Sequence, residues 1–168
     1  MKIRQANPED SRSCARVHIE SWKAAYRGLV PDSYLDGLDF LAREESFRQF
    51  YTRQPEDNFL VEENGQVIGI LTIGECRDYD LDMASTGEIW GIYLHPEHWR
   101  KGVGRILCNF ALRELLERGY EEVVLWVFEG NESARKFYEA MGFSADGASK
   151  TMEPGARVKA IRYHRWIP

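Results

Sequence analysis

The stretch from Ile89 to Phe143, IWGIYLHPEHWRKGVGRILCNFALRELLERGYEEVVLWVFEGNESARKFYEAMGF, decides the fold. A β-prone run, Ile89 to Leu94, enters a loop that ends in Lys101-Gly102-Val103-Gly104. Beyond it Val103, Ile106, Leu107, Phe110, Ala111 and Leu115 recur at helical spacing. Gly119 closes that helix before a second apolar run, Glu122 to Phe128. Strand, glycine turn, helix and strand make a βαβ unit. Gly102 and Gly104 fall where the helix begins. Free amides at a helix N-terminus, approachable because glycine has no side chain, form a cradle for an anion. Arg100, Lys101 and Arg105 add positive charge around it. The pattern points to a bound phosphate or pyrophosphate. The plainer alternative is a loop-to-helix turn with surface cations, and the residues alone leave both open.

Two common nucleotide loops do not fit. A P-loop needs GxxxxGK[ST], whose lysine and hydroxyl serve the phosphates and magnesium, and it is absent. A dinucleotide fingerprint needs GxGxxG directly after a strand. Here the third glycine position is Leu107, and His95 to Lys101 separates strand from glycines.

Outward from this centre, the chain reads as a single domain. Its 168 residues can bury one sizeable core. A net charge of -5 without a long basic run argues against a nucleic-acid partner. No apolar run is long enough to span a bilayer, and MKIRQANPED lacks the apolar centre of a signal peptide. Cys14, Cys76 and Cys108 lie far apart, as free thiols in a reducing, cytoplasmic setting would. His95 and His98 flank the key loop without a third ligand, so no metal is expected.

Before the centre, Met1 to Gln5 reads as a short strand. Asn7-Pro8 caps a helix over Ser11 to Arg27, where Cys14, His18, Trp22 and Ala25 form one stripe. Pro31 to Leu38 reads as a turn, and Phe40 to Arg53 as a second helix stopped by Pro55. Asn58 to Glu63 and Gln66 to Ile73 are strands joined by Asn64-Gly65, a strong hairpin signal. Gly74 to Gly87 is a polar loop holding Asp78, Asp80 and Asp82. After the centre, Asn131 caps a helix through Met141, and two strands flank Pro154-Gly155. The last, Val158 to Trp166, mixes basic and aromatic residues as an exposed edge strand does. That edge makes a homodimer plausible. The expected fold is α/β, with a mixed, mostly antiparallel sheet flanked by helices.

Two segments in order then resemble the GCN5-related N-acetyltransferases. Trp99-Arg100-Lys101-Gly102-Val103-Gly104 resembles that family's [Q/R]-x-x-G-x-[G/A], with Trp99 where glutamine or arginine is usual. Asn131-Glu132-Ser133-Ala134-Arg135-Lys136-Phe137-Tyr138, continuing to Gly142-Phe143, is similar to its N-x-x-A-x-x-[F/L]-Y-x-x-x-G-F. The resemblance implies acetyl-CoA as cosubstrate. Its pyrophosphate would sit on amides from Arg100 to Arg105, Val103 included. Its pantetheine arm would pair with the backbone at Tyr93-Leu94 like an added strand. Asn131 would face that arm, although a plain helix N-cap explains it equally.

The resemblance also implies roles. Tyr138 would be the general acid that protonates the departing thiolate; on spacing alone it is a core tyrosine. Glu88 would be the base that takes the amine's proton, with His95 a weaker candidate. Alternation along the strand Glu88 to Leu94 places Glu88, Trp90, Ile92 and Leu94 on one face, which makes Glu88 the carboxylate at the head of an apolar row. Its plain alternative is a solvated strand end. Trp22 and Tyr26, four apart on the first helix, would line the acceptor side, or simply pack in the core. The implied reaction is direct acetyl transfer to a primary amine, on a small molecule or a peptide. The alternative is a non-catalytic acyl-CoA-binding or sensor module, which would need neither Tyr138 nor Glu88.

Overall fold

A computed structural model describes residues 1–168. Its strands are β1 (Lys2–Gln5), β2 (Asn58–Glu63), β3 (Gln66–Glu75), β4 (Thr86–Leu94), β5 (Glu122–Phe128), β6 (Ser144–Met152) and β7 (Val158–Trp166). They form one sheet in the order β1-β2-β3-β4-β5-β7-β6, in which only β4 and β5 run parallel. The helices are α1 (Ser11–Tyr26), α2 (Asp32–Asp36), α3 (Phe40–Arg53), α4 (Val103–Glu117) and α5 (Glu132–Ala140). Residues 32–36, expected as a turn, make one short helix behind Pro31. Asn64 and Gly65 both take positive φ, 51° and 77°, the geometry that matches a two-residue turn to strand twist.

Period-two alternation sorts β2 between the two faces. Phe59 and Val61 join the large core under α4, with Leu107, Ala111 and Leu115. Leu60 joins the smaller core under α1 and α3, with Cys14, Val17 and Tyr51. Along β5, Val123, Leu125 and Val127 face α4, while Trp126 and Phe128 face α1 with Tyr26 and Trp22. The chain is therefore three-layered, with α1–α3 on one face and α4–α5 on the other.

Two expectations are corrected. β7 is not an edge strand: it lies between β5 and β6, and the exposed edge is β6. Three of its basic residues are explained by carboxylates brought from elsewhere, and Arg165 donates to the Met141 carbonyl. Arg162 bonds Asp78, Asp80 and Asp146; His164 meets Glu122 at 2.7 Å; Lys159 meets Glu129 at 2.9 Å. Strict alternation also fails in β4. Thr72 pairs with Gly91 and Ile73 with Ile89, so Trp90 is an extra residue, a β-bulge. Past the bulge Ile92 and Leu94 pack on the α4 core and Tyr93 on the α1–α3 core. Ile89 already lies in the α4 core, and its neighbour Glu88 pairs with Val124 and points to the α1 side. Glu88 therefore does not share a face with Ile92 and Leu94.

Candidate active site

β4 and β5 pair only from Thr86–Glu122 to Ile89–Leu125. Both strands continue, to Leu94 and Phe128, but no longer pair with each other. The bulge at Trp90 sits where the pairing ends, and a bulge bends a strand and raises its twist. Into the resulting gap opens a cavity of about 680 Å³, walled by Ile89–Leu94 on one side and Leu125–Phe128 on the other. It runs from the start of α4, past α5, to α1 and β6.

At one end stands the glycine turn. Gly102 is the N-cap of α4 in the left-handed region, φ 83°, and no side chain caps this helix. The first amide to find a helical partner is that of Ile106, bonded to the Gly102 carbonyl at 3.2 Å. The amides of Val103, Gly104 and Arg105 are thus left to an outside acceptor. By contrast, α3 and α5 are capped by the side chains of Asp39 and Asn131. Arg100, Gly102, Gly104 and Arg105 line the cavity; Lys101 and Val103 do not. Val103 is buried in the core and offers only its amide. Arg100 itself takes φ 58°, a left-handed conformation two residues before that of Gly102. An anion fits this end by amide supply and by charge.

Trp99 has a different duty from the polar residue expected there. Its indole donates to the Leu94 carbonyl at 2.9 Å and its ring lines the cavity, so it pins the loop to the end of β4.

α5 supplies the middle. Asn131 lines the cavity while its Oδ1 accepts from the Ala134 amide at 3.2 Å, so cap and cavity wall are the same residue. Two turns on, Tyr138 packs edge-on against Phe137 and Phe143. Its hydroxyl has no hydrogen-bond partner in the protein, and it lines the cavity. Burial holds its pKa above the usual phenol value, so it stays protonated and able to donate.

The far end carries Glu88. Its carboxylate is 1% exposed. Oε2 accepts from the Arg77 amide at 3.0 Å and from Arg77 Nε at 3.1 Å; Oε1 accepts only from Arg77 Nη2, at 2.5 Å. The Arg77 guanidinium also lies 4.5 Å over the Trp90 ring. Glu88 is thus not a solvated strand end, and it keeps a lone pair on Oε1.

Trp22 and Tyr26 both reach the cavity from α1. Trp22 stacks on His18 at 5.4 Å and meets Tyr26 edge-on at 4.8 Å; Tyr26 meets Phe128 at 4.9 Å. They are core and wall at once. His95 is absent from the wall. Sequence reasoning missed Arg77, Trp126 and Lys150, which complete this end. Trp126 alternates with the apolar β5 residues, a readable signal; Arg77 and Lys150 sit in stretches without pattern.

Residues 19–143 match the model of the acetyltransferase (GNAT) family. An uncharacterised N-acetyltransferase of Bacillus subtilis, YuaI, is 30% identical over 95% of this chain and 89% of its own length. A spermidine N(1)-acetyltransferase of Thermoplasma acidophilum is 28% identical over 91% of this chain and 96% of its own. The crystal structure of the PaiA N-acetyltransferase of Thermoplasma acidophilum, solved with coenzyme A, superposes with a TM-score of 0.79. It is 21% identical and covers 99% of this chain and 98% of that one. With the split between β4 and β5 and the uncapped start of α4 in place, these likenesses assign the chain to the GNAT family of N-acetyltransferases.

Proposed function

We propose that the chain moves an acetyl group from acetyl-CoA to a primary amine by direct attack within the β4–β5 gap. The carrying observation is the continuous cavity from the free α4 amides to Tyr138 and on to Glu88. A bare acyl-CoA-binding module would not need its last two residues. Acetyl-CoA supplies the activated acetyl thioester. The amides of Val103 to Arg105, with Arg100 and Arg105, hold its pyrophosphate. The side of β4 that β5 leaves free at Tyr93 and Leu94 receives the pantetheine arm, with Asn131 opposite.

The chemistry asks two things of the protein. The acceptor is an ammonium at neutral pH and must lose a proton before its nitrogen can form the C–N bond. Glu88 takes that proton on Oε1, directly or through a water. As the C–S bond breaks, the sulfur leaves with the electron pair and takes a proton from the Tyr138 hydroxyl, and the second proton that the nitrogen sheds as the amide forms restores the tyrosine. No cysteine intervenes: Cys108 is buried on α4, and burial pushes its thiol up to about 12, away from the nucleophilic thiolate. The three buried, unbridged cysteines also support the reducing, cytoplasmic setting.

Acetyl-CoA should raise the melting temperature and drive release of free thiol with an amine panel. NAD should do neither. Absence of CoA binding at millimolar ligand sinks this reading.

A further inference from the structure

Resting on the acetyltransferase reading, we propose that the acceptor is an amino carboxylate with an apolar body, whose carboxylate is received by Lys150 and Arg77.

Only three charged side chains line the acceptor end: Arg77, Glu88 and Lys150. Glu88 is already matched by Arg77, bond for bond. What remains is the Lys150 ammonium and the Nη1 edge of Arg77, so the wall presents net positive charge to an incoming molecule. Lys150 makes no ion pair. It pairs across β6–β7 with Ala160, which pairs with Phe128, so all three side chains share the α1 face. Its Nζ lies 4.0 Å from the centroid of the Trp126 ring. That ring is fixed from behind, its Nε1 donating to Asp78 at 2.9 Å. The amine is thus held over a rigid aromatic plate without a carboxylate. Its pKa is lowered, first by partial burial, against the opposing charges of Asp78 and Glu88.

A polyamine would need free carboxylates here. Asp78, Asp80 and Asp146 are nearby, but all three bond Arg162 and none lines the cavity. The remaining wall, Trp22, Tyr26, Trp90, Phe128 and Met152, is aromatic and apolar and suits a hydrophobic side chain.

The test compares matched pairs, L-phenylalanine with phenethylamine and L-methionine with 3-(methylthio)propylamine, alongside spermidine. A charge-assisted contact to the carboxylate predicts preference for the amino acid in kcat/KM by about 10-fold or more. Lys150→Met should erase that preference chiefly through KM, and Lys150→Arg should restore part of it. Calorimetric affinity for acetyl-CoA should not follow the substitution. Equal or better turnover of the decarboxylated amines or spermidine overturns the proposal and leaves acetyl transfer standing. So does a Lys150→Met that slows both members of a pair alike, or a chain that binds acetyl-CoA and acetylates none of these amines. Failure to bind CoA overturns the parent reading and this one with it.

Discussion

Arg77 grips Glu88 from three sides: its amide and Nε both donate to Oε2, and Nη2 donates to Oε1. The carboxylate is buried while the guanidinium is about half exposed, 1% against 54%. A buried charge held this way is costly to strand. It also has one oxygen free enough to accept a proton.

Glu88→Gln should therefore slow turnover most where the acceptor is an ammonium. A positioned base contributes about 10²–10⁴-fold, and its absence matters less once pH exceeds the amine's own pKa. The check is a pH–rate profile of wild type and variant with one amine. A deficit of the same size at every pH means that Glu88 positions the strand or the substrate and takes no proton.

Tyr138→Phe should lose about 10²–10⁴-fold in kcat with acetyl-CoA affinity retained, because only a hydroxyl without a protein partner is removed. Burial raises the phenol's pKa. Wild-type activity should consequently show no alkaline limb from Tyr138 up to the ordinary tyrosine range. Parent-like turnover in the variant would move the proton source to water.

Gly102→Ala tests the phosphate end. A Cβ there meets nothing within 4 Å, but φ 83° strains any L side chain. The cost is about 1–2 kcal/mol, and the residue lies at the helix start that aims the free amides. CoA binding should weaken in calorimetry, while acetyl-pantetheine, which lacks the pyrophosphate, should bind as before. An equal loss for both ligands would place the phosphates elsewhere.

His18 predicts acid sensitivity. It sits among Trp22, Phe47 and Tyr93 with its Nδ1 buried and unpartnered. Burial first, and then the charge of Arg43, lower its pKa to about 3. The folded state thus binds this proton more weakly than the unfolded chain. Stability is full above the ordinary histidine value near 6.5 and falls as pH drops from there towards 3. Denaturant unfolding at pH 7 and pH 5 should show the loss in wild type and a smaller one in His18→Leu. Identical losses would mean that His18 is hydrated in the native state.

Much of the fold was legible because its signals are local. Asn64-Gly65 demanded its turn, Asn131 its helix start, and Gly119 and Gly142 their left-handed stops, at φ 93° and 84°. The helix over Phe40–Arg53 and the strand over Glu122–Phe128 follow from short-range periodicity. The two misread strands depended on partners far away. β7 looked like an edge because its cations had no visible carboxylates, yet Asp78 and Asp80 come from a loop some eighty residues earlier. β4 looked regular because a bulge is a property of the pair, fixed by where β3 and β5 hold it.

By itself, then, the sequence determined the elements, the glycine turn and the helix that Asn131 caps, since backbone propensity and capping act within a few residues. Only the tertiary structure decided what the site is: that β4 and β5 separate after Ile89, that Glu88 faces Arg77, and that Lys150 stands over Trp126. Those relations join residues distant in the chain, through register, twist and burial, and no local pattern encodes a distance across a sheet.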